Sequence, residues 1–86
     1  MHTPADLLKA ARVALGLSPE ELAKEAGISR RSLSRLEAGS DTVALRILLA
    51  VQRTLESRGV VFLAGDHTQG PGFRLPVRRS SDVATN

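Results

Sequence analysis

Four glycines divide the first 59 residues into short segments, and their spacing limits what this chain can fold into. Gly16, Gly27, Gly39 and Gly59 each follow a stretch in which apolar residues recur at helical intervals. Glycine readily adopts the left-handed backbone conformation that commonly ends a helix. The spacing therefore predicts four helices, of which the first three are short.

Serines mark the starts of the second and third helices. Residues 18–21 read Ser-Pro-Glu-Glu, an order in which the serine caps the helix, the proline fits the first turn and the second glutamate bonds back to the cap. Ser29 caps the third helix immediately after a short turn. Thr3, Pro4 and Asp6 predict the start of the first helix in the same way. Two short helices joined by so tight a turn are typical of a helix-turn-helix.

The fourth segment is predicted to be the longest helix, over about residues 42–58, and it carries two apolar stripes. We expect a leucine stripe to face the core and the second stripe to need a further cover, because three short helices cannot bury both. The leucine stripe consists of Leu45, Leu48, Leu49 and Leu55, and the second stripe consists of Ala44, Ile47 and Val51.

After Gly59 the pattern changes from helical to extended. Residues 60–63 are apolar and mostly β-branched or aromatic, residues 73–78 alternate between apolar and polar, and a glycine-rich loop lies between them. We predict a β-hairpin in which Pro76 confines the second strand to an edge or an end. The apolar first strand predicts burial on both of its faces. Residues 80–86 show no periodicity and are expected to be a disordered tail.

The composition excludes several classes of protein. Of the 86 residues, 42% are hydrophobic but only 2% are aromatic, so the core must be built from aliphatic side chains in closely packed helices. With no cysteine and two histidines, the chain can form neither a disulfide nor a four-ligand zinc site, and we expect no cofactor. The sequence shows neither a signal peptide nor an apolar run of membrane-spanning length, so we expect a cytoplasmic protein without a membrane partner. The sequence contains no recognisable catalytic motif, so we do not expect an enzyme.

Three arginines on the predicted third helix are the strongest functional candidates. Arg30, Arg31 and Arg35 fall within six residues that contain no acid. Leu33 and Leu36 are predicted to form the buried side of this helix, which leaves the arginines exposed. Arginine is the commonest reader of guanine in the major groove, because its forked guanidinium matches the O6 and N7 acceptors. A charge run can also be an ordinary solvated helix face, and charge alone does not decide between the two.

The chain resembles the Cro and phage-repressor type helix-turn-helix proteins, the XRE family, over about residues 6–58. The resemblance implies a mainly α fold, a lambda-repressor-like bundle of four or five helices. Helices 2 and 3 would form the helix-turn-helix, and helix 3 would enter the major groove of double-stranded DNA. The residues that carry the resemblance are Leu15-Gly16-Leu17-Ser18-Pro19-Glu20-Glu21-Leu22-Ala23 and Gly27-Ile28-Ser29-Arg30-Arg31-Ser32-Leu33-Ser34-Arg35-Leu36-Glu37-Ala38-Gly39.

The resemblance also implies roles for particular residues. Arg30, Arg31 and Arg35 fall where family members contact base edges. Arg12 and Glu37 fall where the family often has a buried ion pair, which would tie the first helix to the end of the recognition helix. Hydroxyl groups at six further positions are expected to contact bases or phosphates. These belong to Ser18, Ser29, Ser32, Ser34, Ser40 and Thr42.

Three departures from the family pattern affect these expectations. Pro19 stands where the family usually has a glutamine that contacts phosphate, so more of the affinity would rest on arginine. Asp41 puts an acid in a loop that is often basic, although it could serve to cap the fourth helix. The usual fifth helix is missing, and the predicted hairpin takes its place.

The hairpin is expected to be a dimerisation element attached to the DNA-binding domain. We predict a domain at residues 1–59 and the hairpin extension at residues 60–79; the alternative is a monomer in which the hairpin is only a lid. The arginines Arg74, Arg78 and Arg79 would either grip phosphate or guard an edge strand. The residues expected at the dimer interface are Ile47, Val51, Val60, Phe62, Phe73 and Leu75.

These features predict a sequence-specific transcriptional regulator that acts as a dimeric repressor on a pseudo-palindromic operator. An alternative within the same family is an antitoxin that binds a toxin protein and represses its own promoter. A third interpretation, a scaffold that has lost DNA binding, does not account for three exposed arginines.

Overall fold

The computed structural model describes residues 3–77 and confirms a helical bundle followed by a small antiparallel hairpin. The predicted tail and two arginines of the C-terminal cluster, Arg78 and Arg79, lie outside the described residues. No helix within residues 3–77 is long and apolar enough to cross a membrane. The elements are α1 (Ala5–Leu15), α2 (Pro19–Ala26), α3 (Arg30–Glu37), α4 (Leu45–Ser57), β1 (Val61–Leu63) and β2 (Gly72–Arg74).

The helix starts at Ser18 and Ser29 have the predicted caps. The Ser18 hydroxyl accepts a hydrogen bond from the Glu21 backbone N–H at 3.1 Å, and the Ser18 N–H donates to the Glu21 carboxylate at 2.8 Å. This last bond is the main reason why the pKa of Glu21 lies below its ordinary value. The Ser29 hydroxyl caps α3 by accepting from the Ser32 N–H at 3.0 Å. Gly27 ends α2 with φ 72°, so the turn between the two helices has its predicted geometry.

The start of α1 differs from the prediction. Thr3 and Asp6 do not form a capping box, because the helix begins at Ala5 and Pro4 takes the N-cap position with no side-chain cap. The Thr3 backbone N–H instead donates to the side-chain oxygen of Gln52 in α4 at 3.3 Å. A tertiary contact has therefore replaced the local one.

The core lies between the four helices and is almost entirely aliphatic. Ala23, 3% exposed, lies in α2 where this helix packs against both α3 and α4. The small side chain allows the close approach that a helix-turn-helix requires. The largest fully buried side chains are those of Leu8, Leu22, Leu33, Leu55 and Val51.

The inward face of α4 differs in part from the one predicted: Leu55 is buried as expected, but the rest of the leucine stripe is not. Ile47, Val51 and Leu55 are buried, whereas Leu45 is 55% exposed. Residues spaced by four share one face of a helix, so these three form a continuous buried row. The prediction that Leu45 faces the core was therefore wrong, as was the need to cover the second stripe from outside. Of the other leucines predicted on the core side, Leu48 and Leu49 are half-buried.

The predicted start of α4 was also too early. The helix begins at Leu45 rather than at Thr42, and Ala44 occupies the N-cap position without a side-chain cap. Asp41 consequently does not cap it. Ser40 and Thr42 hydrogen-bond to each other in the loop before the helix, which accounts for the later start.

The hairpin packs one face on the bundle and exposes the other. Phe62 pairs with Phe73 across the two strands, and the rings meet edge to face with centroids 6.2 Å apart against the core. Val61 and Leu63 point the other way and are 53% and 40% exposed. The predicted burial of both faces was wrong, because neighbouring residues of a strand project to opposite sides and the bundle covers only one.

This arrangement changes the predicted dimer interface. Ile47, Val51 and Val60 cannot contact a second copy, because the bundle itself buries them. Phe62 and Phe73, half-buried against the core, are largely used within one chain. The error came from treating the second stripe of α4 as uncovered.

A buried ion pair joins α1 to the end of α3. Arg12 Nε donates to Glu37 Oε2 at 2.7 Å, and Arg12 Nη2 donates to Glu37 Oε1 at 3.1 Å. Both side chains are only 10% exposed. The third group, Nη1, donates to the Leu17 carbonyl at 2.8 Å. This guanidinium therefore fastens three parts of the fold together with charge-assisted bonds.

We expect Arg12→Ala or Glu37→Ala to lower the free energy of unfolding by about 3 kcal/mol, because each leaves a mostly buried charge unpaired. The double variant should cost less than the sum of the two, as measured by urea unfolding. Arg58→Ala, which breaks an exposed pair with Glu25, is the control and should cost less than about 1 kcal/mol. Additive single effects would contradict the coupling of Arg12 and Glu37.

Candidate nucleic-acid interface

The helix α3 is strongly amphipathic. Leu33 and Leu36 are buried, while Arg30, Arg31 and Arg35 are exposed, as predicted. Residues at positions 31 and 35 are four apart, so they share one face of the helix. The packing of two leucines thus turns the arginine surface outward, where a groove of DNA could receive it.

Arg30 has an acidic neighbour at the start of α2. Its Nη1 lies 3.5 Å from Glu20 Oε2, and both side chains are exposed. An exposed pair at this distance is weak, because water and salt screen it. In the sequence Glu20 is part of a helix-capping segment, and only the fold brings its carboxylate to the arginine surface. Arg31, by contrast, forms no ion pair with any residue between 3 and 77.

Arg35 contacts the loop between α3 and α4. Its Nη2 donates a hydrogen bond to Thr42 Oγ1. The Thr42 hydroxyl lies 2.9 Å from the Ser40 hydroxyl, which also accepts from the Thr42 backbone N–H at 3.3 Å. The hydroxyls of Ser40 and Thr42, predicted to contact DNA, are therefore joined in one network with a predicted base-reading arginine.

A shallow pocket of about 180 Å³ lies beside this network. It contains a second arginine, Arg46, which lies in the first turn of α4 and is exposed. The sequence analysis missed Arg46, because helical periodicity marks it only as a solvent-facing position; its place just after the recognition helix and loop was the available signal. The lining residues are Ser32, Arg35, Thr42, Val43, Ala44, Arg46 and Ile47.

Three of the four remaining predicted hydroxyls, those of Ser18, Ser29 and Ser32, have local hydrogen bonds. Those of Ser18 and Ser29 are engaged as helix caps, and the Ser29 hydroxyl also lies within hydrogen-bond distance of the Ser32 hydroxyl, at 3.0 Å. Ser34 is exposed on α3. Arg74 is exposed at the end of β2, opposite Val61, and so belongs to the hairpin rather than to the α3 surface.

Comparison with known proteins identifies the class. A family model described as Helix-turn-helix matches residues 8–60 of the chain. The chain therefore belongs to this XRE-type helix-turn-helix family, and residues 8–60 form its DNA-binding domain. The family resemblance found in the sequence is confirmed. Among curated proteins, none matches the sequence.

Solved structures with the same fold include two complexes of a protein called HipB. These are a HipA-HipB-O2-O3 complex and a HipB-O4 20mer complex, and a third similar structure is that of a protein called MDT Protein. Each is 29% identical in sequence with a TM-score of 0.58, over 65% of this chain and 83% of the matched chain.

The acid beside Arg30 should lower the affinity for DNA. We expect Glu20→Gln to tighten binding to a duplex of random sequence by about 2- to 5-fold, because it removes a charge that repels phosphate. The logarithmic salt dependence should also steepen, since the surface loses a negative charge that opposes its contacts to phosphate. Fluorescence anisotropy at several salt concentrations measures both. Glu56→Gln, near the far end of α4, is the control, and an unchanged affinity and salt dependence in Glu20→Gln would contradict the role of this acid.

Proposed function

We propose that this protein is a sequence-specific transcriptional regulator, acting in the cytoplasm as a dimeric repressor on a pseudo-palindromic operator. The observation that carries the proposal is the outward surface of α3, on which Arg30, Arg31 and Arg35 are all exposed on a helix anchored by buried leucines. Membership of a DNA-binding family supports it independently. Repression follows if the bound protein blocks the polymerase.

The chemistry of the surface suits base recognition. Each guanidinium can donate two parallel hydrogen bonds to the O6 and N7 of a guanine, which distinguishes this base from the other three in the major groove. The side chains of Ser32 and Ser34 are shorter, so their hydroxyls are suited to contact bases or phosphates that lie close to the helix. Arg46 lies outside α3 and is suited to contact the phosphates of the DNA backbone, where charge matters more than the geometry of the contact.

We propose that the hairpin, residues 60–79, joins two copies through its outer face. Val61 and Leu63 are apolar and exposed there, and β1 pairs only with β2 among residues 3–77, so its other edge has unpaired backbone groups. The same strand of a second copy could pair with that edge about a two-fold axis. Of the residues that the sequence predicts at the dimer interface, Leu75 is still available, because it is 45% exposed. A two-fold protein suits half-sites one helical turn apart.

A second candidate function is that of an antitoxin, a regulator that also binds a toxin protein. The observation that favours it is the similarity to HipB in a HipA-HipB-O2-O3 complex. The test is whether a small protein encoded beside this one arrests growth when expressed alone. Under this alternative, co-expression of the present chain restores growth and the two proteins purify together.

Substitution of the recognition arginines tests the main proposal. We expect alanine at Arg30, Arg31 or Arg35 to weaken binding by about 1–3 kcal/mol each and to relax the preference at one base pair of the site. Competition with single-base variants of a selected duplex measures this. Arg53→Ala, the same change at an exposed position of α4, should leave the preference intact. Equal weakening on every variant would mean that the three residues touch only phosphate.

The outer face of the hairpin has a separate test. Val61→Asp should abolish or strongly weaken self-association, because it places an unpaired charge in the proposed interface. Sedimentation equilibrium measures the mass, and affinity for a full operator should fall far more than affinity for a half-site. Val13→Asp, at another exposed valine, is the control. If the intact chain and the Val61→Asp variant are both monomers and bind the operator equally, the hairpin does not mediate dimerisation and only covers the bundle.

A further inference from the structure

A hydrogen-bond network links Arg35 of α3 to Thr42 and Ser40 in the following loop. Arg35 is exposed, yet its guanidinium is not free, since Nη2 donates to Thr42 Oγ1. The Thr42 hydroxyl is itself oriented by Ser40, at 2.9 Å, and the loop is closed by the Thr42 N–H bond to the Ser40 hydroxyl. We propose that Thr42 is a positioning residue that orients Arg35 for base recognition. The proposal rests on base reading by Arg35.

An exposed arginine needs such a partner if it is to select a base. The side chain has several rotatable bonds, and holding it in one geometry costs conformational entropy at the moment of binding. A partner that holds it beforehand removes part of that cost from the specific complex. Nonspecific binding to phosphate does not need a defined guanidinium plane, so it gains little from the same restraint.

The bond to Thr42 leaves enough donors for a base. The guanidinium has five N–H groups, and guanine requires two of them. One N–H of Nη2 is used by Thr42, so the remaining groups can still form the forked contact. Thr42 is thus able to hold Arg35 in the free protein and in the complex alike.

The chemistry of the partner also fits. A carboxylate would orient Arg35 more strongly, but it would cancel its charge and repel phosphate on the DNA side. The Thr42 hydroxyl is neutral, so it restrains the guanidinium without that penalty. Arg46 lines the same pocket, and a neutral acceptor beside these two cations leaves the local potential positive.

The alternative is that Thr42 and Ser40 are phosphate ligands, as the family resemblance implies. In that case the bond between Thr42 and Arg35 would break on binding, and loss of the Thr42 hydroxyl would weaken all DNA complexes alike. The two roles therefore predict different patterns of affinity across DNA sequences.

The test uses the full chain and a duplex of about 20 base pairs, long enough for two half-sites, selected with the intact protein from a random library. Thr42→Val removes the hydroxyl and keeps the shape, whereas Thr42→Ser keeps the hydroxyl. Arg35→Ala identifies the base pairs that Arg35 reads. Asp41→Asn is a control in the same loop; it should strengthen binding to every duplex without changing discrimination. Thermal melts verify that each variant folds, which the exposure of Thr42 leads us to expect.

We expect Thr42→Val to lose about 3- to 10-fold in discrimination at the base pairs identified by Arg35→Ala, with unchanged binding to unrelated DNA and full discrimination in Thr42→Ser. Uniform weakening by Thr42→Val would identify a phosphate ligand and overturn the proposal. Unchanged discrimination, or the same loss in Thr42→Ser, would also overturn it. If Arg35→Ala changes discrimination nowhere, base reading by Arg35 is wrong and the role of Thr42 falls with it.

Discussion

The recognition helix α3 has only eight residues, and its position depends on the ion pair between Arg12 and Glu37. A helix of this length is unstable by itself, because nucleation costs more than so few hydrogen bonds return. Leu33 and Leu36 bury one side of it, but apolar packing is not directional and does not by itself set the orientation of the helix. The paired guanidinium and carboxylate do, because their bonds have defined geometry. The exposed arginines of α3 therefore project from a helix whose orientation is fixed.

On that frame, two arginines have partners of different chemistry. Arg30 lies near the carboxylate of Glu20, and Arg35 donates to the hydroxyl of Thr42. A carboxylate partner reduces the attraction of the surface for phosphate, whereas a hydroxyl leaves the charge intact. Under the proposed function, affinity and selectivity would therefore depend on different partners of one short helix. The exposed ion pair between Arg30 and Glu20 is weak, and Thr42 uses only one N–H of Arg35, so neither contact prevents DNA from approaching.

Much of the helical part was predictable because its signals are local. The caps at Ser18 and Ser29 and the left-handed turn at Gly27 involve residues within four positions, so their interactions follow from the sequence. The inward face of α4 was not predictable in this way. Its leucine stripe and its second stripe are both apolar. Which of the two is buried depends on where the helix starts and on which neighbours pack against it. The same error placed Ile47 at a dimer interface when it belongs to the core.

The sequence by itself determined that four helices form, that the second and third make a helix-turn-helix, and that the third carries exposed arginines. These properties come from caps, glycines and apolar spacing, all of which act over short distances along the chain. Only the tertiary structure decided which face of α4 is buried and which side of the hairpin is free. It alone brought Glu20 to Arg30 and Thr42 to Arg35. The physical reason is that these contacts join segments whose relative positions depend on packing, and packing depends on the whole chain at once.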